Sequence, residues 1–313
     1  MKIITDISKI DRPAWRKLLA ASPVASWFQS EEAYDFLMSV SDCLTSFIVA
    51  VEENQLTGIA VGYTVTGRGL QKPFTGRTII NGGPLLAEDI SDKALEALLN
   101  AVPTNAIYSE TRNFGDYSRW QDVFARCGWT YEPHYDVVID VDSSWRERLA
   151  DDKKQQVRKA QKDGQTWSLA ESENDVRIWY YDLKRLYRDK VHRPLLPLSF
   201  FQPAWKNGAC KVIVVRDKYN HIIGGSLLPV LGKTAYEWYK SGSVMSTFAI
   251  LEWCEQNGLT CLDCMGAGKP GTPYGVRDFK VRVGGKLREL GRFVRIQKPI
   301  RYKLGVAVVK KLL

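Results

Sequence analysis

The chain contains FIVAVEENQLTGIAVGYTV at residues 47–65 and CKVIVVRDKYNHIIGGSLLPV at residues 210–230. In each stretch, two runs rich in β-branched and other apolar residues flank a short polar segment. This arrangement is typical of a β-hairpin, in which the polar residues form the turn. Because the pattern occurs twice in one chain, it indicates that a single structural unit is repeated.

The segments that follow the two hairpins also correspond. Each hairpin is followed by another strand-like segment and an amphipathic helix, SDKALEALLNAV or STFAILEWCEQNG, with Ser91 and Ser246 as predicted N-caps and Gly258 as a predicted C-cap. A short strand comes next, NAIYSE or LTCLDCM, and each half ends in a final strand, HYDVVIDV or RFVRIQ. We therefore predict an α/β (α+β) fold of two tandem units, each a mixed, mostly antiparallel sheet flanked by helices.

The boundary between the units is predicted near Ser143. The segment that follows it, WRERLADDKKQQVRKAQKDG, is charged and helix-prone, and a second helical segment, ENDVRIWYYDLKRLYRDK, comes after it. A length of 313 residues suits two domains of about 150 residues each. We accordingly expect a first unit at residues 1–143 and a second unit at residues 144–313, which includes a basic C-terminal tail.

Excess positive charge is concentrated in that tail. The net charge is +9, and residues 277–313 hold 12 Lys and Arg against two Asp and Glu, so the preceding residues are nearly neutral. Such a segment suits a polyanionic partner, namely RNA, anionic lipid or a phosphorylated substrate. A solvated basic face without a partner is the alternative.

Other classes of protein are disfavoured. No apolar run approaches the roughly 20 residues of a membrane span, and the N-terminus lacks the apolar region of a signal peptide, so we expect a cytoplasmic protein with six reduced cysteines. The pair Cys261 and Cys264 has C-x-x-C spacing, but it lies on a predicted strand and the chain has only three histidines. Neither a metal nor a cofactor is expected, and the spacing of GAGKPG does not match a P-loop.

Three motifs carry a resemblance to a known family. They are SWFQSEEAYDFL (26–37), QVRKAQKDG (156–164) and LDCMGAGKPGTPYGVRDFKVRVGGKLRELGRF (262–293). Together with the repeated hairpin, strand and helix, they resemble the Fem family of aminoacyltransferases, which build peptidoglycan interpeptide bridges from tandem GNAT-like units. The chain departs from the family pattern at Val283, where Phe is usual, and in lacking the long helical arm of some members.

The resemblance implies a reaction centre beside the glycine-rich loop of the second unit. It makes Lys280 the cation that stabilises the developing oxyanion, and it places Phe279 beside the reacting ester. Asp263, at the end of its strand, and Asp116 are candidates for proton transfer from the amine, although neither spacing identifies a general base. Within the loop, Tyr274 and Arg277 are candidate substrate-binding residues.

Further substrate contacts are expected at two other places. Arg112 and Arg158 could contact precursor phosphates. Trp238, Tyr239 and Lys240 lie where a GNAT unit opens its cleft, and the aromatic side chains could stack on a base or pack in the core. The [QR]-x-x-G-x-[GA] motif of acyl-CoA-dependent GNAT enzymes is absent from both halves.

The resemblance therefore implies transfer of an amino acid from aminoacyl-tRNA to a peptide amine of a lipid-linked or nucleotide-linked peptidoglycan precursor. The basic tail could hold tRNA phosphates or the inner face of the membrane, since IRYKLGVAVVKKLL is amphipathic and basic. Two alternatives remain: an N-acyltransferase that uses acyl-CoA or an acyl carrier, and a non-catalytic relic that binds RNA or membrane.

Overall fold

The computed structural model describes residues 1–66 and 75–312, with side chains up to Val306. The α-helices of this part of the chain are α1 (Arg12–Ala21), α2 (Glu31–Ser39), α3 (Asp92–Ala101), α4 (Gln121–Arg126), α5 (Asp151–Lys162), α6 (Glu173–Leu186), α7 (Leu198–Lys206), α8 (Val244–Gln256), α9 (Gly275–Arg282) and α10 (Pro299–Leu312).

The strands are β1 (Lys2–Ile4), β2 (Thr45–Glu52), β3 (Leu56–Val65), β4 (Arg77–Gly82), β5 (Leu85–Leu86), β6 (Tyr108–Asn113), β7 (Thr130–Glu132), β8 (Tyr135–Asp140), β9 (Thr166–Leu169), β10 (Lys211–Arg216), β11 (Ile222–Leu228), β12 (Val230–Leu231), β13 (Thr234–Tyr236), β14 (Tyr239–Ser241), β15 (Cys261–Gly266), β16 (Lys286–Glu289) and β17 (Arg292–Ile296).

The chain divides into two compact units. Unit 1 comprises Met1–His134 and Leu290–Leu313, and unit 2 comprises Tyr135–Glu289. This division differs from the predicted boundary near Ser143 in two respects. The chain enters unit 2 before β8, and its C-terminal segment returns to unit 1 instead of forming the tail of unit 2.

Unit 1 is built on one mixed sheet of the order β1-β2-β3-β4-β6-β17-β7, with β5 paired to β3. Helix α3 buries four apolar side chains, which pack with residues of β2, β3 and β4 in one hydrophobic core. Phe293 of β17 lies in this core and stacks on Phe124 of α4, with 3.9 Å between the ring centroids. The buried faces of the strands and helices thus form a single core in unit 1.

Unit 2 contains two sheets, β14-β11-β10-β9 and β12-β13-β15-β8-β16. The chain passes from one sheet to the other at Glu237 and Trp238, because β13 pairs with β15 whereas β14 pairs with β11. The core of unit 2 includes residues of β8, β10, β15 and α8. This change of sheet places the residues around position 237 beside the end of β15.

The predicted duplication is confirmed. Both hairpins form, as β2–β3 and β10–β11. In unit 1, β4 leads through α3 to β6, which lies parallel to it; in unit 2, β13 leads through β14 and α8 to β15, also parallel. The other strand pairs are antiparallel among the residues that the structure describes, so both units have the predicted mixed, mostly antiparallel pairing.

The final strands of the two halves form, but each lies in the other unit. β8, expected to close the first half, pairs with β15 and β16 of unit 2, whereas β17 pairs with β6 and β7 of unit 1. The predicted N-cap Ser246 is also wrong, because α8 begins at Val244 and its cap is Ser243, whose side chain accepts a hydrogen bond from the Met245 N–H. Ser91 caps α3 as predicted.

Within the described residues, none of the helices combines the length and the apolar character that a membrane span requires.

Candidate functional site

The candidate site of unit 2 lies at the end of β15, where the regular pairing with β8 is interrupted between Asp263 and Gly266. Met265 adopts a left-handed backbone conformation with φ of 61°, which is uncommon for a residue with a long side chain. Residues with such backbone conformations cluster at functional sites, where surrounding contacts hold them in place. Here one contact is the Met265 N–H, which donates to the Asp263 Oδ1 at 2.7 Å.

Lys280 is buried against this strand end. Its side chain projects from α9, the residue is only 7% exposed, and its Nζ donates to the carbonyl groups of Cys264 at 2.6 Å, Met265 at 3.2 Å and Gly266 at 2.9 Å. A lysine ammonium has three donors, so all of them are satisfied by backbone oxygens. Lys280 is therefore a fixed buried cation and not an exposed side chain at the edge of the glycine-rich loop.

Asp263 is also buried, and a second buried carboxyl group lies beside it. This is Asp136 of β8, whose strand is the direct neighbour of β15 and whose carboxyl group is within hydrogen-bonding reach of Asp263. Burial and then the Asp263 charge raise the pKa of Asp136 well above its ordinary value. Burial raises the pKa of Asp263 to about 6, while the nearby Lys280 charge favours the ionised form of both.

The Phe279 ring is half-buried beside two further lysines. The Nζ of Lys240 lies 4.3 Å from the ring centroid and that of Lys153 lies 5.3 Å from it, both within the range of cation–π attraction. Lys240 also donates to the Thr247 Oγ1 at 2.6 Å and lies 3.8 Å from the buried carboxylate of Glu237. The Phe279 ring is thus packed against lysine side chains from other elements, with Lys280 next to it on α9.

The glycine-rich loop before α9 is held by its own residues. Arg277 donates to the carbonyl groups of Lys269 at 2.9 Å and of Thr272, and its guanidinium lies over the Tyr135 ring. Tyr274 is 39% exposed and packs close to Gly268. The Arg277 side chain is therefore committed to loop structure, whereas the Tyr274 ring retains an exposed surface.

The aromatic pair after β13 packs within unit 2. Trp238 and Tyr239 are half-buried, and their rings lie 5.2 Å from Phe200 and 4.9 Å from Phe201 respectively. Both partners belong to α7. This geometry matches the packing alternative for Trp238 and Tyr239, while leaving part of each ring accessible.

The three remaining candidates are not part of this cluster. In unit 1, Arg112 forms an ion pair with Glu110, whose pKa is held at about 2 by charges that include those of Arg112, Arg292 and Arg77, although burial opposes the shift. Asp116, also in unit 1, accepts from the Ser118 N–H at 2.8 Å and so stabilises a local turn. Arg158 is exposed on α5 of unit 2.

The basic C-terminal segment does not form one continuous tail. Its residues up to position 289 belong to unit 2 and the rest to unit 1. Many of its cations are bound locally, since Arg282 pairs with Asp152, Lys286 with Asp140 and Arg292 with Glu110. Arg295 donates to the carbonyl groups of Leu99 and Val102, and Lys298 to that of Asn105. Exposed side chains include Arg288, Arg301 and Lys303.

The C-x-x-C cysteines pack as free thiols. Cys264 is buried, which raises its pKa, and Cys261 is half-buried. Over the described ranges, no group of three or more His, Cys, Asp and Glu side chains is placed to hold a metal ion.

Sequence reasoning missed Asp136 and Glu237. A signal for Asp136 was present, because it is one of two acidic residues in the otherwise apolar strand YDVVIDV, where a charge is rarely buried without a partner. Glu237 follows the short strand β13 and is buried only because the chain changes sheets there.

Sequence comparison gives no assignment: no family model matches the chain, and no curated protein is matched by it. Solved structures are similar in fold. FemX has a TM-score of 0.68 at 13% identity, over 97% of this chain and 99% of that chain. The C-terminal domain of a putative lysylphosphatidylglycerol synthetase from Agrobacterium fabrum has a TM-score of 0.58 at 12% identity, over 95% and 96%.

A tandem GNAT protein from the clavulanic acid biosynthesis pathway gives a TM-score of 0.59 at 9% identity, over 95% of this chain and 98% of that chain. These similarities cover nearly the whole of each chain, so they concern both units and not one domain alone. The chain therefore has the tandem GNAT fold of Fem-like proteins, and the resemblance that its motifs predicted is confirmed at the level of the fold.

Proposed function

We propose that the protein is a Fem-like N-acyltransferase that moves an amino acid from aminoacyl-tRNA to a peptide amine of a peptidoglycan precursor. The observation that carries this proposal is the buried Lys280 beside Phe279, at a strained strand end in a chain with the fold of FemX. A fixed cation at a water-excluded position is suited to stabilising charge that develops during acyl transfer.

The reaction requires no covalent enzyme intermediate. The amine nitrogen attacks the ester carbonyl, a C–N bond forms, and the C–O bond to the ribose breaks; the proton lost by the amine is balanced by the proton gained by the ribose oxygen. Lys280 stabilises the oxyanion by exchanging its longest hydrogen bond, the 3.2 Å bond to the Met265 carbonyl, for one to the substrate oxygen. The two shorter bonds keep the ammonium in place.

The ends of the central helices favour an aminoacyl-tRNA donor over acyl-CoA. In GNAT enzymes of the acyl-CoA type, the pyrophosphate would need free N–H groups at a helix N-terminus. At the start of α3 the Glu53 carboxylate accepts from the Ser91 hydroxyl at 2.7 Å, so a negative charge already occupies that position. In unit 2 the side chains of the first turn of α8 are buried, from Val244 to Thr247.

Exposed groups offer contacts for the two substrates. Tyr274 and the accessible parts of Trp238 and Tyr239 provide aromatic surface in unit 2. Arg158 provides exposed positive charge there, and the half-buried Lys240 adds a cation beside Phe279. The exposed Arg301 and Lys303 of α10 suit tRNA phosphates or the anionic inner face of the membrane. On this proposal the protein acts in the cytoplasm, with peripheral contact to the membrane where the precursor is lipid-linked.

A transfer assay tests the proposal. The protein is incubated with charged total tRNA, and separately with mixed acyl-CoA, beside nucleotide-linked and lipid-linked precursors, and mass spectrometry follows the precursor. We expect added mass only with tRNA, and its value names the amino acid. Added mass only with acyl-CoA would show that acyl-CoA, and not aminoacyl-tRNA, is the donor. No added mass with either donor would count against an enzyme of this class.

A further inference from the structure

The Asp136 carboxyl group has an environment that an ionised carboxylate would not tolerate. The residue is 3% exposed, and neither of its oxygens accepts a well-aligned hydrogen bond from a donor in the described part of the chain, although the nearby Val137 N–H favours the ionised form weakly. Its neighbour within hydrogen-bonding reach is the Asp263 carboxyl group. Two carboxylates can only accept hydrogen bonds, so such a contact is repulsive unless one of them carries a proton.

We propose that Asp136 and Asp263 hold one proton between them, and that the single negative charge of the pair positions Lys280 for its role. The structural connection is short. Asp263 accepts from the Met265 N–H, and both the Cys264 carbonyl of that same peptide unit and the Met265 carbonyl accept from the Lys280 Nζ. Asp136 is thus a positioning residue, because it acts through Asp263 and Lys280 and is too deeply buried to touch a substrate.

Charge balance explains why one proton, and neither two nor none, suits this cluster. A singly protonated pair and the Lys280 ammonium sum to zero in a buried site, whereas an uncompensated buried charge is costly. The other charged or titratable groups that face the pair from neighbouring elements are Arg288 of β16, Cys261 and Cys264 of β15, and Glu237 and Lys240 between β13 and β14. Arg288 is exposed, so solvent screens its contribution.

The pair should leave a signature in the pH dependence of stability. Both carboxyl groups have raised pKa values, with that of Asp263 at about 6, against about 4 in an unfolded chain. Between these values the folded state binds more protons than the unfolded state, so stability falls as pH rises. The stability that the protonated carboxyl groups contribute is fully present below about pH 4. It is lost as the pH rises through about 6 and beyond.

Asp136→Asn removes the shared proton while keeping the size of the side chain. We compare the unfolding temperature of the variant with that of wild type at each pH. We expect this difference, variant minus wild type, to increase by about 3 °C or more from about pH 5 to about pH 8. The matched control is Asp140→Asn, which lies on the same strand but is only half-buried and is paired with Lys286. Parallel curves for wild type and Asp136→Asn would overturn the proposal.

Infrared spectroscopy in heavy water detects the proton directly. At neutral pH, wild type and Asp140→Asn should show the carbonyl band of a protonated carboxyl group, and Asp136→Asn should lack it. Asp263→Asn serves as the second variant if Asp136→Asn does not fold. A wild-type spectrum without this band, or a band that persists in both pair variants, contradicts the shared proton.

Positioning of Lys280 is tested by its reactivity. An amine acetylating reagent, with the Lys280 peptide followed by mass spectrometry, should modify Lys280 several-fold faster in the double variant Asp136→Asn/Asp263→Asn than in wild type or Asp140→Asn, because the double variant lacks the single negative charge of the pair, which Asp136→Asn alone leaves on Asp263. Equal rates would overturn the positioning role.

The functional importance of that position rests on the proposed function, but none of these measurements uses a substrate. A protein that shows the band and the change in reactivity yet transfers nothing would refute the proposed function and leave the pair established.

Discussion

Lys280 directs all three of its N–H donors to consecutive carbonyl groups at the end of β15. This arrangement holds the ammonium away from water, where its charge has a larger effect on a nearby reaction. It also means that the lysine serves both the structure and, on the proposed function, the chemistry. The two roles can be separated, because loss of the chemical role lowers the transfer rate and loss of the structural role lowers the free energy of unfolding.

Lys280→Met keeps the length of the side chain but removes its charge and donors. We expect the transfer rate to fall about 100-fold or more, as for loss of an oxyanion donor. The three carbonyl groups lose a partner, so the free energy of unfolding should also fall by about 1–3 kcal/mol. Transfer kinetics and urea unfolding measure the two effects.

The control for this variant is Lys233→Met. Lys233 also donates to a backbone carbonyl in unit 2, that of Gly258, but it is exposed and lies at a different part of the fold. It should retain full transfer activity. Equal activity of wild type and Lys280→Met would remove Lys280 from the mechanism.

Gly285, which follows α9, is required by close packing and not by backbone flexibility. A Cβ on Gly285 would lie 2.3 Å from the Val137 Cγ1 and 2.5 Å from the Lys280 carbonyl oxygen, both far inside van der Waals contact. Gly275, at the start of α9, has open space around the same position. A larger residue therefore fits at position 275 but not at position 285.

Gly285→Ala should destabilise the protein by about 1–3 kcal/mol, the usual cost of overpacking a filled site. Gly275→Ala should be neutral or stabilising by less than about 1 kcal/mol, because alanine favours a helix. Unfolding midpoints in urea measure both. A Gly285→Ala variant as stable as wild type would show that the packing of α9 against β8 is looser than the structure indicates.

At the scale of elements, α10 combines exposed apolar and basic side chains. Ile300 is 78% exposed and Leu304 is 52% exposed, one helical turn apart, and Arg301 and Lys303 beside them are also exposed. For residues 307–312 the structure describes the backbone alone, and Leu313, the end of the predicted amphipathic segment, lies outside the described residues. An apolar and basic face of this kind is suited to an anionic membrane surface.

Replacing Ile300 and Leu304 by Ser should weaken binding to vesicles containing phosphatidylglycerol by about tenfold or more, since burial of each apolar side chain contributes about 1.5–3 kcal/mol when complete. Co-sedimentation measures the affinity. Ile178→Ser, at an exposed apolar residue of α6, is the matched control and should bind as wild type does. Equal binding of the double variant and wild type would exclude α10 as the contact.

At the scale of the whole molecule, unit 2 is a continuous stretch of the chain, whereas unit 1 is assembled from two separate segments. β17 lies between β6 and β7 in the sheet of unit 1, although it is far from both in sequence. The chain crosses between units at two points that are neighbours within each unit: the Leu290 N–H donates to the His134 carbonyl at 3.2 Å, and Glu289 pairs with Tyr135. Folding of unit 1 therefore depends on the C-terminal segment.

This dependence predicts how fragments behave. A fragment of residues 1–143 lacks β17 and should not fold cooperatively, because β6 and β7 lose the strand between them and the core loses Phe293. A fragment of residues 1–134 joined to 290–313 by a short linker should fold, and so should residues 135–289. Circular dichroism and thermal unfolding test this, and cooperative folding of 1–143 would contradict the division.

Much of the fold was predictable because its signals are local. The hairpins, the helix after each of them and the Ser91 cap follow from residue patterns a few positions long. The exchange of β8 and β17 was not predictable, because an alternating strand pattern specifies which face is buried but not which sheet edge receives the strand. The N-cap of α8 was misplaced by three residues because Ser243 and Ser246 are both suitable cap residues and only the observed start of the helix distinguishes them.

The sequence by itself determined the repeated unit and the mixed, mostly antiparallel sheets. Only the tertiary structure decided that Lys280 is buried on backbone carbonyls and that Asp136 meets Asp263. The physical reason is that pairing between β8 and β15 joins residues more than 100 positions apart. No local pattern encodes such a contact, and a charge that looks solvated in the sequence becomes a buried partner only when the two strands pair.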